Sequence, residues 1–261
     1  MTTTSFIHSL QSEWLKTRRS LASWLVILGS FLIPAILLIA RLVYSDNLAK
    51  DSASPDFWEN LFSMCWQAMA LLLLPIGVIL ATSLIAQLEF RNNTWKQLHT
   101  TPQYLTTIFG AKLTVILVMM LQFLLLFNIG IYLVGVIPNL VLGVAYPAQA
   151  FPFAYFLEKN AWFFVDCLPI VALQYLISLH FKNFLVPLGV GLGMLVAALI
   201  AVEWKYGYTI PYTYCSLNFF TLRKVETTLQ QGANVHLWAV GYFAVFTITG
   251  YVLYMTQKEK G

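Results

Sequence analysis

Charge is scarce in this sequence. Asp, Glu, Lys and Arg make up 10% of the 261 residues, whereas an ordinary soluble domain carries about 25%. Hydrophobic residues make up 59%, so the chain cannot cover a folded surface with charge as a soluble protein of this length does. The composition therefore excludes an ordinary soluble domain and predicts that most of the protein surface faces lipid.

Signatures of catalysis are also absent. The sequence contains no GxxxxGK[ST] phosphate loop, no HExxH metal site, no GxSxG nucleophile elbow and no nucleic-acid-binding motif. Cys65, Cys167 and Cys215 lack CxxC or metal-ligand spacing and are interpreted as packing or lipid-facing thiols. The glycine-rich run at 189–193 lies inside an apolar block, so it is interpreted as a helix-packing surface. The chain is therefore not expected to be an enzyme or to bind a metal or cofactor of its own.

Long hydrophobic blocks dominate the chain instead. Six are long enough to cross about 30 Å of hydrocarbon at about 1.5 Å per residue. The predicted spans are 24–43, 64–88, 108–136, 161–179, 184–202 and 235–255. The predicted fold is all-α: one polytopic membrane domain over residues 1–261, with an amphipathic cytoplasmic helix at 1–21 and a six-helix membrane region at 22–256.

The distribution of basic residues predicts the orientation of these spans in the cell membrane. With the N-terminus inside, the cytoplasmic side holds Lys16, Arg18, Arg19, Arg91, Lys96, Lys112, Lys182, Lys258 and Lys260. The outside then holds Arg41, Lys50, Lys159, Lys205, Arg223 and Lys224. Because cytoplasmic loops of membrane proteins carry the excess of Lys and Arg, both termini are predicted to be cytoplasmic.

An amphipathic helix is predicted before the first span. Phe6, Ile7, Leu10 and Trp14 recur at three- and four-residue spacing, with most polar residues on other faces. The apolar face would enter the head-group boundary, and three basic residues would contact the lipid phosphates. These basic residues are Lys16, Arg18 and Arg19. The helix is either a simple topological anchor or a functional contact with a partner, and the sequence leaves both open.

Three further segments stand out between the spans. The most polar predicted cytoplasmic stretch, 89–102, contains Phe90, Trp95 and Leu98, so it is predicted to be a short interfacial helix. The aromatic segment 138–160, which contains Pro138, is predicted to lie at the outer interface. The aromatic segment 203–234 is interpreted either as a partly re-entrant hairpin or as an aromatic belt, with the belt favoured.

Asp166 is the one acid inside a predicted span, near the outer end of the fourth. A carboxylate within a membrane is a functional hypothesis by default, because its burial is costly. Its interpretations are a role in a transport path, an ion pair between helices, or a carboxylate that reaches outer water.

The polar stretch after the second span resembles the permease subunits of the ABC type-2 exporter family. In that family an acidic residue opens a short coupling helix with the pattern E-x-R-x-G-T, an apolar helix and a proline. Glu89, Arg91, Thr94, Leu98 and Pro102 occupy those positions here, while Asn93 replaces the more usual Gly. The segment 12–20 is similar to the surface helix of the family. Among subgroups, the chain looks most like the permeases of lantibiotic and bacteriocin immunity exporters.

The resemblance implies a membrane-spanning subunit that forms the translocation path of an exporter and couples to a separate ABC ATPase. Two permease chains, as a homodimer or a heterodimer, would pair in the membrane, with ATP and Mg on the ATPase and none on this chain. The residues implied in coupling are Glu89, Phe90, Arg91, Thr94, Trp95, Lys96 and Leu98.

Two other classes of function stay open at this stage. One is an intramembrane enzyme, such as an acyltransferase or a protease, for which Asp166 and a histidine are the best candidates. The other is a membrane assembly factor that transports nothing.

Overall fold

Helices account for nearly all of the described chain. The computed structural model describes residues 3–91, 105–181, 183–224 and 234–256, with side chains from residue 6 to residue 88 in the first range, and no strand occurs within these ranges. In chain order the helices are α1 (Thr3–Arg18), α2 (Leu21–Val43), α3 (Leu48–Ser52), α4 (Phe57–Ala68), α5 (Leu74–Arg91), α6 (Leu105–Val141), α7 (Phe153–His180), α8 (Leu185–Ala201), α9 (Tyr214–Leu222) and α10 (Val235–Thr256). A π turn, Met69–Leu73, joins α4 to α5, and two 3-10 turns, Gly207–Thr209 and Pro211–Thr213, precede α9.

Five helices in the described ranges are long and apolar enough to cross a membrane. They are Leu21–Val43, Phe57–Leu88, Leu105–Val141, Phe153–His180 and Val235–Thr256. Five of the six predicted spans are thus confirmed as helices of membrane length. The predicted span at 184–202 coincides with α8, which has 17 residues and measures about 26 Å, slightly less than the hydrocarbon thickness. A sixth crossing stays a prediction.

Aromatic packing explains why the second span begins at Phe57, earlier than predicted. The Trp66 ring stacks on the Phe163 ring of α7 with centroids 3.7 Å apart. Trp58 is also buried, and its Nε1 donates to the Gln149 carbonyl at 2.9 Å. Buried aromatic pairs stabilise a core beyond their area alone. These contacts hold α4 in the bundle and extend the span at its N-terminal end.

The π turn inside the second span coincides with a proline. Pro75 has no backbone N–H to donate to the carbonyl of residue 71, so the regular hydrogen-bond ladder cannot be completed there. The helix is nevertheless continuous from Phe57 to Arg91 through this wider turn.

A reciprocal amide pair joins α6 to α7. The side-chain amides of Asn128 and Asn160 each donate to the other's carbonyl oxygen at 2.9 Å. Each also donates to a carbonyl one turn earlier on its own helix, that of Leu124 or Phe156, at 2.6 Å. Because hydrocarbon offers no competing water, such a pair fixes the register of the two helices.

Gln174 on α7 joins three further elements. Its side chain is fully buried, and Nε2 donates to Ser83 Oγ of α5 at 2.7 Å and to the Pro187 carbonyl of α8 at 2.8 Å. The Tyr212 hydroxyl donates to Gln174 Oε1 at 3.4 Å. A single amide therefore holds α5, α8 and the turn before α9 against α7.

The two aromatic segments differ from their predicted positions. Pro138 does not end α6, because a proline near the end of a helix loses only one hydrogen bond, and α7 already begins at Phe153. In the second segment Trp204 and Tyr206 are exposed, as in a belt, whereas Tyr212 and Tyr214 are buried in the bundle. The belt interpretation is therefore wrong for the part of this segment that precedes and forms α9.

The glycine run on α8 gives a matched test of the packing. An added Cβ at Gly191 would lie 2.6 Å from Gln174 Oε1 and 2.7 Å from Ile79 Cγ2, whereas at Gly193 it would meet nothing within 4 Å. Gly191→Ala is expected to cost about 1–3 kcal/mol through overpacking, and Gly193→Ala is expected to change little. Thermal unfolding of the two variants in one detergent checks this. Equal midpoints would contradict the position of α8.

Candidate functional site at the two ends of the bundle

A buried charge cluster holds α1 against the start of α6. The side chain of Lys112 is 2% exposed, and its Nζ lies 4.0 Å from Glu13 Oε2. Lys16 Nζ donates to the other oxygen, Glu13 Oε1. Because Glu13 and Lys112 are both buried, water screens their attraction little, and the attraction favours contact between α1 and α6. We call Glu13, Lys16 and Lys112 the α1 hub.

The face that α1 buries is polar. Ser9, Glu13 and Thr17, four residues apart and so on one side of the helix, are each at most 5% exposed. Thr17 Oγ1 donates to the Glu13 carbonyl at 2.8 Å. Packing against α6, and not an apolar stripe alone, therefore determines how α1 sits on the bundle.

The predicted surface-helix residues take different positions around this face. Trp14 is partly buried and packs against the core, Lys16 belongs to the hub, and Arg18 and Arg19 are exposed. The contact between the basic residues and lipid phosphates stays a prediction.

The end of α10 lies beside the start of α6. The hydroxyls of Thr106 and Tyr251 are 3.0 Å apart, and the rings of Phe109 and Tyr254 have centroids 5.7 Å apart. Since Lys112 lies one to two turns further along α6, α1 and the end of α10 meet the same end of that helix.

A glutamine joins the ends of α5 and α7. Gln87 Nε2 donates to the Phe181 carbonyl at 2.6 Å and to the Ser178 carbonyl at 3.3 Å. Both helices therefore end at the same side of the bundle, four residues after Gln87 for α5 and at His180 for α7.

In the sequence, the residues predicted to couple follow Gln87 and precede Thr106. Thr94, Trp95, Lys96 and Leu98 fall outside the described residues, as do the side chains of the other three predicted members. Those three are Glu89, Phe90 and Arg91. In the described backbone, α5 ends at Arg91 and α6 begins at Leu105.

Asp166 lies at the other end of the bundle and is fully buried. Its Oδ1 is 2.7 Å from His236 Nδ1 at the start of α10, and its Oδ2 accepts from Asn218 Nδ2 of α9 at 2.7 Å. The His236 ring stacks on Trp162 with centroids 4.2 Å apart. The carboxylate thus joins α7, α9 and α10 and is closed off from water; we call Asp166, Asn218 and His236 the Asp166 latch.

The sequence paired Asp166 with an unspecified histidine in the enzyme alternative alone and did not indicate which histidine it was. His236 lies 70 residues from Asp166, and neither periodicity nor spacing links two such distant positions. Asn234 gave the one local signal, because its side-chain oxygen accepts from the backbone N–H of His236 at 3.1 Å and so caps the start of α10. That cap indicates where α10 begins, but it does not indicate that His236 contacts Asp166.

A thiol pair lies next to the latch. Cys167 and Cys215 are buried, with their sulfur atoms 3.1 Å apart across α7 and α9. They are packing thiols, as predicted, and they do not face lipid. Within the described ranges no three His, Cys, Asp or Glu residues are placed to hold a metal ion.

A bundle of membrane-length apolar helices, tied together by internal polar contacts, defines a multi-pass membrane protein. The family model for the ABC-2 family transporter proteins matches residues 9–199, and the chain belongs to that family. It is thus a membrane permease component of an ABC transporter, a class that works with an ABC ATPase. The predicted family is confirmed at this level. No curated protein and no solved structure matches the sequence.

The α1 hub can be tested by labelling. Glu13→Gln keeps the size of the side chain and removes its charge, so the attraction between Glu13 and the buried Lys112 is lost and the helix should leave α6 more often. Ser9→Cys, a buried position on α1, should then react faster with a water-soluble maleimide. Ser12→Cys is the control, because Ser12 is already exposed. Equal labelling of Ser9→Cys with and without Glu13→Gln would contradict the hub.

Proposed function

We propose that this chain is the membrane-spanning permease subunit of an ABC exporter, that it forms the translocation path, and that residues 89–102 couple it to a separate ATPase subunit. The observation that carries the proposal is the arrangement of the helices on either side of this segment. Helix α5 ends four residues after Gln87, which joins it to α7, and α6 begins seven residues before Lys112 of the α1 hub. A force applied there would reach α1, α5, α6 and α7 together.

The side chains of the segment suit a docking contact. Phe90, Trp95 and Leu98 supply apolar area, and aromatic residues of this kind often dominate the binding energy of an interface. Arg91 and Lys96 would pair with acidic groups on the ATPase. Glu89, at the end of α5, and Thr94 would hold the segment by hydrogen bonds.

We infer six crossings with both termini in the cytoplasm. Supporting this, α8 starts near the α7 end that Gln87 joins to α5, while Val202, just after α8, packs with Ala239 near the start of α10. Helix α10 then returns to the start of α6, where α1 lies. That path gives an even number of crossings. The excess of basic residues at the end of the bundle where α1 lies favours a cytoplasmic location for that end.

The described surface leaves room for a second permease chain. Only 17% of the hydrophobic windows of α2 and α10 is buried within this chain. Two copies, or this chain and a related one, would enclose a path between them, and the whole chain of 1–261 would act as one permease domain. ATP and Mg would bind to the ATPase subunits, and closure of those subunits would tilt the spans.

The finer assignment is to the lantibiotic and bacteriocin immunity subgroup, which rests on the resemblance of residues 89–102. A peptide or lipid-like amphiphile is the cargo class that suits these apolar spans.

No observation favours the alternative of an intramembrane enzyme. Asp166 and His236 are adjacent, as an acid and a base would be, but within the described residues no hydroxyl or thiol hydrogen-bonds the ring of His236. A nucleophile positioned by that base is what such chemistry requires. We assign Asp166 to the joint between helices, and a role in the path stays a prediction.

The coupling segment is tested by Trp95→Ala. If Trp95 is a central contact, the variant should reach the membrane normally, bind its ATPase partner about tenfold more weakly or worse, and lower substrate-stimulated ATP turnover. Trp204→Ala is the control, because Trp204 is exposed near the opposite end of the bundle. Co-purification and ATP turnover in the reconstituted complex check this. Unchanged binding by Trp95→Ala would overturn the assignment.

A further inference from the structure

Two buried thiols meet next to the Asp166 latch. Cys167 lies on α7 and Cys215 on α9, neither side chain has exposed surface, and their sulfur atoms are 3.1 Å apart. The two residues are separated by 48 positions in the sequence. A disulfide holds its sulfur atoms at about 2.05 Å, so a bond here needs an approach of about 1 Å, which rotation of the two side chains can supply. The pair is therefore placed for a covalent link between two helices as well as for packing.

The Asp166 latch fixes α7 and α9 at this point independently of the thiols. Asp166 directly precedes Cys167 on α7, and Asn218 lies three residues, nearly one turn, after Cys215 on α9. Asn218 Nδ2 donates to Asp166 Oδ2 at 2.7 Å. Because this hydrogen bond already holds the two helices together, the sulfur atoms meet without displacement of either backbone.

The third cysteine provides a comparison within the same chain. Cys65 lies on α4 and is also fully buried. Within the described part of the chain, however, its sulfur atom forms no hydrogen bond with another cysteine. Burial alone therefore does not distinguish the three thiols, whereas the contact between sulfur atoms selects one pair.

The proposed orientation places this pair toward the external side of the membrane. In that orientation α10 starts outside and ends in the cytoplasm, and His236 of the Asp166 latch lies at its start. Disulfides form and persist outside the cytoplasm, where thiols are not kept reduced. The external location depends on the proposed orientation, whereas the contact between the two sulfur atoms does not.

Full burial determines when a bond can form. Thiol–disulfide exchange requires a thiolate to attack an accessible disulfide sulfur, and neither Cys167 nor Cys215 is accessible in the folded bundle. The exchange must therefore precede the packing of α9 against α7. Once α9 has packed, the bond is out of reach of a reductant in water.

We propose that Cys167 and Cys215 form a disulfide that joins α7 to α9 in the mature protein. Two S–H bonds break and one S–S bond forms. The two protons and two electrons pass to the disulfide of a protein thiol oxidant on the external side, which becomes a dithiol. The bond links the helix of Asp166 to the helix of Asn218 and so keeps the Asp166 latch closed.

A count of free thiols tests this directly. The protein is produced in a host with an external thiol oxidant, and its membranes are dissolved in SDS that contains N-ethylmaleimide. Mass spectrometry is expected to find one modified cysteine, Cys65, and a cross-linked peptide that contains Cys167 and Cys215. Reduction in SDS before alkylation should raise the count to three. Three modified cysteines without reduction would overturn the proposal.

Single variants identify the pair, and the count in SDS does not depend on how well each variant folds. Without reduction, Cys65→Ala should leave no cysteine to modify, and Cys167→Ala should leave two, Cys65 and Cys215. No modified cysteine in Cys167→Ala would show that Cys65 can replace the missing partner. That result, or two modified cysteines in Cys65→Ala, would contradict the assigned pair.

The same sequence without the bond is the matched control for its effect on the fold. Protein from a host that lacks the external oxidant should keep three free thiols and unfold at a lower temperature than the oxidised protein, because a cross-link restricts the unfolded chain. Equal unfolding midpoints would contradict the stabilising role. In the folded, oxidised protein a water-soluble phosphine should leave the bond intact, and rapid reduction would contradict its burial.

Failure of the disulfide and failure of the proposed function are distinguishable. The thiol count requires neither the ATPase subunit nor transport. Three free thiols together with cytoplasmic labelling of Lys96→Cys would overturn the disulfide alone. Three free thiols together with labelling of Lys96→Cys from the external medium would overturn the proposed orientation as well.

Discussion

The absence of water from the bilayer core is the constraint on which this structure depends. A polar group inside the hydrocarbon must find its partner within the protein. The amide pair of Asn128 and Asn160, the hydrogen bonds of Gln174 and the Asp166 latch all meet this requirement between helices. Each fixes the register of two or three helices, which apolar packing alone would leave less well defined.

Further contacts between helices lie at the two ends of the bundle. At one end, the α1 hub, Gln87 and the pair of Thr106 and Tyr251 bring together α1 and the ends of α5, α6, α7 and α10. At the other end, Asp166 joins α7 to α9 and α10. A displacement of the segment between α5 and α6 would therefore move several helices at once. That arrangement suits a permease driven by an ATPase on another chain.

Five of the spans could be predicted from the sequence because length and apolarity decide them, and their boundaries at the end of the bundle where α1 lies agree within a few residues. Pairings between distant positions could not. Asp166 was recognised as unusual, yet His236 was not recognised as its partner, because hydropathy does not encode which helix faces which. Tyr212 and Tyr214 were assigned to a belt, since aromatic residues between spans are common both at interfaces and in cores. For segment 89–102 the composition predicts a short interfacial helix, whereas the coupling role follows only from the resemblance of its residues to a family motif.

The central claim is that residues 89–102 lie in the cytoplasm, where they meet an ATPase. Lys96→Cys provides the most direct measurement, since the three native cysteines are buried and should react little. A membrane-impermeant maleimide is applied to inside-out and to right-side-out vesicles, with and without the ATPase subunit. The account predicts labelling of inside-out vesicles alone and protection when the ATPase is bound. Labelling from the external medium alone would contradict both the orientation and the transport mechanism.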